Sequence, residues 1–192
     1  MRSFESNLAF VRACLAELQD YERAEALFWP LSARPPAGSS PFLQMTLGNL
    51  LLALDELRAI EARLSPEDRT ALTRVQTEWE TRWAGRSARL EEKARHELAS
   101  RIAQWHAYVD EAMENRGLSD YPAAVRPRLC AERLQECLGG ASRAELQVLD
   151  AALDARMEDG PCVLGADMAF IYPLSPRYRF LYRRARRPGD GN

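Results

Sequence analysis

Apolar residues recur at steps of three and four along most of this chain, the spacing of one face of an α-helix. Phe4, Leu8, Val11, Leu15 and Leu18 open the series, while Arg12, Glu17, Asp20, Glu22, Arg23 and Glu25 fall mostly on the other side. They predict a first helix over 4–28, ended by Pro30. A Pro/Gly/Ser turn runs from Arg34 to Ser40, where Ser40 is placed to cap a second helix with Pro41 as its first residue. That helix is expected to run to about residue 64. From Phe42 to Leu54 it is apolar on nearly every side, so it is expected at the centre of the others.

The next segment carries the most regular pattern. Ser65-Pro66-Glu67-Asp68 supplies a cap, a proline and two acids at a helix start. Leu72, Val75, Trp79, Trp83, Leu90, Ala94, Leu98, Ile102, Trp105, Val109 and Met113 then form one stripe. With Arg86 in the missing turn, eleven steps cover 41 residues, about 3.7 residues each, close to the helical period. The spacing predicts one helix over 66–115, about 75 Å long at the usual rise. The alternative is a kink at Gly85-Arg86-Ser87.

Gly117 is expected to end that helix. Pro122 and Pro127 bracket a helical turn before a helix over 127–138, stopped by Gly139-Gly140. Ser142-Arg143-Ala144-Glu145 reads as a capping box, and Leu146, Leu149 and Leu153 give the last helix its apolar side as far as Met157. Beyond Pro161 the period changes. Arg177 to Arg183 alternates aromatic residues and mostly Arg with period two, which predicts an extended arm or a short strand.

Composition supports helices. The chain has 29 Ala, 26 Leu and 25 Arg in 192 residues, against 14 Val, Ile and Thr together, so a sheet-based architecture is disfavoured. The fold expected is all-α: a bundle of four or five helices over 1–160 with one long central helix, about 66–115. An aromatic and Arg-rich C-terminal arm follows over 161–192, its last residues expected to be disordered. The N-terminus lacks the apolar run of a secretory signal. The uncharged stretch 35–54 leaves only about 14 residues for a helix, short of the roughly 20 that cross a membrane. With Cys14, Cys130, Cys137 and Cys162 scattered and unpaired in sequence, buried reduced thiols and a cytoplasmic location are expected.

The net charge of −2 conceals a split. Residues 177–192 hold six Arg and one Asp, whereas the rest of the chain is acidic. Phosphate-loop, dinucleotide and nucleophile-elbow motifs are absent, and His96-Glu97 lacks the second His of a zinc helix because position 100 is Ser. Glu92 with His96 and His106 with Asp110 stand four apart and read as surface ion pairs. Lys93 and Ala103 occupy the positions where a Glu-x-x-His metal motif needs acids. No catalytic, cofactor-binding or metal-binding residue is assigned.

Two surfaces remain as candidates for contact. Trp79, Trp83 and Trp105 on the long stripe read first as core. The aromatic side of the arm reads first as clamped onto the bundle, with its Arg heads paired to acids of the chain or a neighbour. Otherwise these three, with Tyr178, Phe180 and Tyr182 on the arm, are candidates for binding a protein partner or a second copy of the chain. The arm's Arg177, Arg179, Arg183, Arg184, Arg186 and Arg187 could instead hold phosphates, with its aromatics stacking on bases. The sequence therefore points first to a non-catalytic interaction or assembly protein. A nucleic-acid-associated protein is the alternative, and an enzyme or ligand binder with a pocket between helices is the third reading.

Overall fold

The computed structural model describes residues 3–114, 118, 120–140 and 144–185. It is predominantly helical, as the composition requires. The chain divides into two compact units, Met1–Glu97 and Leu98–Asn192, with the boundary inside one helix. None of the described helices is long and apolar enough to cross a membrane.

The first unit is built on α1 (Phe4–Arg23), α2 (Leu47–Ala59), α3 (Pro66–Ala84) and the first turns of α4 (Ala88–Met113). Phe10, Val11, Cys14, Leu15, Leu18 and Tyr21 form the buried face of α1. As its apolar circumference implies, α2 is buried along its length, from Leu47 through Leu57. Its amino end meets a carboxylate: the Gly48 N–H donates to Glu97 Oε2 at 3.0 Å, satisfying a donor that the helix cannot. Asn7 Nδ2 donates to the buried Glu56 at 2.9 Å, tying α1 to α2.

Both of these first helices are shorter than the pattern predicts. Residues 29 and 45 pair their backbones in an isolated antiparallel bridge, which holds the chain on either side of the Pro-rich turn extended. Thr46, not Ser40, is therefore the cap of α2, accepting the Asn49 N–H. Glu17 secures the connection by accepting from Trp29 Nε1 at 2.8 Å and from Ser32. Burial opposes its charge, but these donors overcome that and hold its carboxyl below the usual range.

The single helix expected over 66–115 is two helices. α3 stops at Ala84, and α4 begins at Ala88. Gly85 weakens the helix there, and both new ends are satisfied locally. Arg86 Nη1 donates to the Trp83 carbonyl at the end of α3, and its guanidinium lies 4.7 Å from the Trp83 ring centroid. Ser87 Oγ accepts the Leu90 N–H as the cap of α4 and also bonds Glu22. The stripe survives the break, since Leu72, Val75, Leu90, Ala94, Leu98 and Val109 are all buried. Only its last member, Met113, is exposed.

The second unit continues with α5 (Tyr121–Cys137), α6 (Ala144–Asp154), strand β1 (Met157–Asp159), α7 (Ala166–Ile171), a 3₁₀ turn (Arg179–Tyr182) and strand β2 (Arg183–Ala185). α5 starts six residues earlier than expected. Pro122 sits in its first turn, where a missing N–H is harmless, and Pro127 is carried inside the helix. Gly139 and Gly140, both at φ 82°, end it as anticipated. Gly117, Ser142 and Arg143 lie outside the described residues.

Within the segment expected to be extended, Arg179–Tyr182 form a 3₁₀ turn and Arg183–Ala185 a short strand. β2 pairs antiparallel with β1, Met157 opposite Ala185, and Phe180 and Leu181 are buried in the 3₁₀ turn. The alternation of residues 177–183 reflects a tight turn that buries its apolar members, followed by a paired strand.

The Ser87 cap yields a test of the break. Ser87→Ala should destabilise the chain by about 1 kcal/mol in urea unfolding, the usual worth of an N-cap. An unchanged midpoint would mean that α4 does not depend on a capped start.

Candidate functional site

A cleft of about 500 Å³ opens within the second unit. Its buried lining is apolar and aromatic: Trp105 from α4, Tyr121 from α5, Leu153 from α6, Met157 from β1 and Phe180 from the 3₁₀ turn. Its exposed lining includes Gln147, Leu174 and Arg179. Ser175, Asp150, Asp154 and Arg183 complete the polar part.

The aromatic wall forms because α4 and α5 each place a large ring on an inward position. The Trp105 ring stacks on Tyr108 at 5.4 Å and lies 6.2 Å from Tyr121. The Tyr121 hydroxyl donates to the Phe180 carbonyl at 2.5 Å and so fixes the 3₁₀ turn. The Tyr108 hydroxyl is buried and has no hydrogen-bond partner among the described residues.

Behind these rings lies a network of buried charge. Arg128, on the inward face of α5, donates from Nε and Nη2 to Asp150 at 3.1 and 2.9 Å and from Nη1 to Glu132 at 3.0 Å. Its guanidinium also lies 4.2 Å from the Phe180 ring centroid. Burial works against the Arg128 charge, but the hydrogen bonds and charge of Asp150 and Glu132 outweigh it and leave its pKa raised. Asp150 also accepts from Trp105 Nε1 at 3.0 Å, which sets the tilt of the indole.

The arginines after residue 176 divide sharply. Arg177 Nε donates to Glu132 at 2.8 Å, and its guanidinium also pairs with Glu136. Arg183 is buried; it bonds Asp159 at 2.6 Å and pairs with Asp154. The acids outweigh the cost of its burial and raise its pKa. Arg184 meets Glu158 at 2.7 Å across the strand pair. Three of the proposed phosphate ligands therefore spend their charge on the chain's own carboxylates. Arg179 differs: among the described residues its ion-pair contacts are two long ones of 3.9 Å, to Asp154 and Asp159. Arg186 and Arg187 lie outside the described residues.

The proposed partner contacts are mostly interior. Trp79 is 6% exposed and Trp105 1% exposed, which removes them from any free helix surface, although Trp105 reaches the cleft. Trp83 is half-buried and stacks on Trp79 at 5.4 Å. Phe180 is core, the Tyr178 hydroxyl bonds Glu136 at 2.7 Å, and Tyr182 donates to the Tyr172 carbonyl at 2.7 Å. Of the six, Trp105 and Phe180 are the two that line the cleft.

All four cysteines are free thiols; Cys14, Cys130 and Cys162 are buried and Cys137 half-buried. His106 Nδ1 lies 2.9 Å from Asp110 Oδ2 on an exposed helix face. Among the described residues, no group of His, Cys, Asp or Glu could hold a metal ion. Sequence reasoning missed Arg128, Glu132, Asp150 and Asp154. A signal was present: Asp150 falls on the apolar side that Leu146, Leu149 and Leu153 give α6, and Arg128 falls beside Val125 and Leu129 on that of α5. A charge on an inward stripe requires a buried partner.

Comparison with protein-family models, with curated proteins and with solved structures finds no match. The functional reading therefore stands on this geometry.

The two tyrosines make a matched test of the wall. Tyr108→Phe removes a buried hydroxyl without a partner and should leave stability unchanged or raise it by up to about 1 kcal/mol. Tyr121→Phe strands the Phe180 carbonyl and should cost about 1–2 kcal/mol. Burial, followed by Asp120 and Glu111, pushes the Tyr108 hydroxyl up to about 12. Burial, then Asp150 and Tyr108, also raises Tyr121. Above about pH 10 the unfolded chain loses these protons before the folded one does, so stability falls as pH rises. Tyr108→Phe should make that fall shallower. Urea unfolding at pH 8 and pH 11 checks both points, and a Tyr108→Phe costlier than Tyr121→Phe would contradict the arrangement.

Proposed function

We propose that this chain is a non-catalytic interaction protein whose contact surface is the cleft of the second unit, and that the cleft takes a short apolar segment of a partner protein. The observation that carries this is the coupling of a buried aromatic lining to a large apolar side chain of the same lining left in solvent. Leu174 lines the cleft and is 66% exposed, and Phe170, four residues earlier in the chain, is 82% exposed. Large apolar groups left in solvent are a common mark of a contact surface.

The volume lies within the roughly 300–1,000 Å³ of ordinary ligand pockets. A partner's side chain entering it would meet Trp105, Tyr121 and Phe180, residue types over-represented at the energetic centres of interfaces. Gln147 and Ser175 supply amide and hydroxyl groups able to bond a peptide backbone. A chain segment can set an apolar side chain in the cleft while its backbone meets these polar groups.

Display of a random peptide library against the full chain tests this. Peptides with apolar residues should be enriched on the wild-type protein and lost on Leu174→Asp, an exposed substitution expected to leave folding intact. Equal recovery on both proteins, or none on either, would overturn the proposal.

A further inference from the structure

We infer that the cleft recognises a free carboxylate at the end of an apolar chain, the C-terminus of a partner protein whose last side chain is aromatic or branched aliphatic. This rests on the reading of the cleft as the contact surface and names the chemistry that it selects.

The argument turns on which charged groups at the cleft have capacity left. Asp150 has both oxygens engaged, by Arg128 and by Trp105 Nε1. Asp154 is held through Oδ1 by Arg183 and shared through Oδ2 with Arg179. An ammonium entering the cleft would thus meet acids whose charge Arg128 and Arg183 already neutralise. Arg183 is equally spent, buried and bonded to both Asp154 and Asp159.

Arg179 stands apart. It lines the cleft, its side chain is 52% exposed, and its contacts to Asp154 and Asp159 are both 3.9 Å, beyond hydrogen-bond length. A guanidinium offers five N–H donors in a planar fork that fits a carboxylate in two parallel bonds. Asp154 and Asp159, equally near to it, are each also paired with Arg183, which weakens their repulsion of an incoming anion. The cleft therefore pairs an apolar, aromatic wall with a single cation that has donors to spare.

A chain end matches both halves. Its last side chain enters among Trp105, Leu153, Met157 and Phe180, and its terminal carboxylate lies on Arg179. The backbone before it runs out past Gln147 and Leu174. An internal segment could supply the side chain but not the anion.

NMR titration of the isotope-labelled full chain tests this, using a heptapeptide of Gly and Ser ending in Phe as free acid, the same peptide as C-terminal amide, and 3-phenylpropionate. The free acid should bind about tenfold more tightly than the amide, the usual worth of hydrogen bonds to a charged group. Arg179→Gln should abolish that ratio while leaving amide binding and the thermal midpoint unchanged. Adding salt should narrow the ratio as well. Acid and amide binding equally would overturn the carboxylate inference but leave the cleft as an apolar contact surface. Failure of both peptides would overturn the contact reading too. Binding of 3-phenylpropionate as tightly as the free-acid peptide would overturn the commitment to a chain end in favour of a small carboxylate.

Discussion

A guanidinium withdrawn from water must be met by carboxylates and acceptors on nearly every side, and Arg128 imposes that demand on the whole second unit. Its side chain is 3% exposed. Glu132 answers from one turn along α5, Asp150 from α6, and the Phe180 ring covers the guanidinium face. Each partner brings another element with it. Asp150 fixes Trp105 of α4, Glu132 receives Arg177, and Phe180 is anchored through its carbonyl by Tyr121. The cleft is the space left beside these committed groups, and its aromatic wall is oriented by them.

The same economy of charge explains the terminal segment. Its arginines look from sequence like a surplus of positive charge on an acidic protein. In the fold they distribute themselves among the acids of the second unit: Arg177 to Glu132 and Glu136, Arg183 to Asp154 and Asp159, Arg184 to Glu158. Among the described arginines of the segment, Arg179 is the one without an ion-pair contact shorter than 3.9 Å, and Arg183 already shares its acids. A functional signal here comes from asking which charge is left over after the structural pairs close, since the size of the basic cluster alone does not reveal it.

Much of the helical architecture was legible because it is local. The burial of α2 on every side follows from the residues between Leu47 and Leu57, and the α4 stripe is read correctly from Leu90 to Val109. What failed was set by partners distant in sequence. The phase of the stripe continues through Gly85, so periodicity could not see that Arg86 and Ser87 end one helix and cap the next. Ser40 and Pro41 are a sound helix start in isolation, but the backbone pairing of Trp29 with Met45 claims the segment first. The period-two pattern at 177–183 predicts an extended segment, but Tyr121 and Arg128 hold Phe180 inside a 3₁₀ turn. The cleft itself was not legible, because its lining comes from six separate elements and a loop.

The most direct measurement is a double-mutant cycle on Arg128 and Asp150, read by urea unfolding of the full chain. Arg128→Met and Asp150→Leu should each destabilise by about 3 kcal/mol, because each leaves a charge buried without its main partner. The double variant should be clearly more stable than the sum of the two predicts, since neither charge remains. Small and additive losses would contradict the account, for they would show that the second unit holds its rings and its cleft in place without this buried pair.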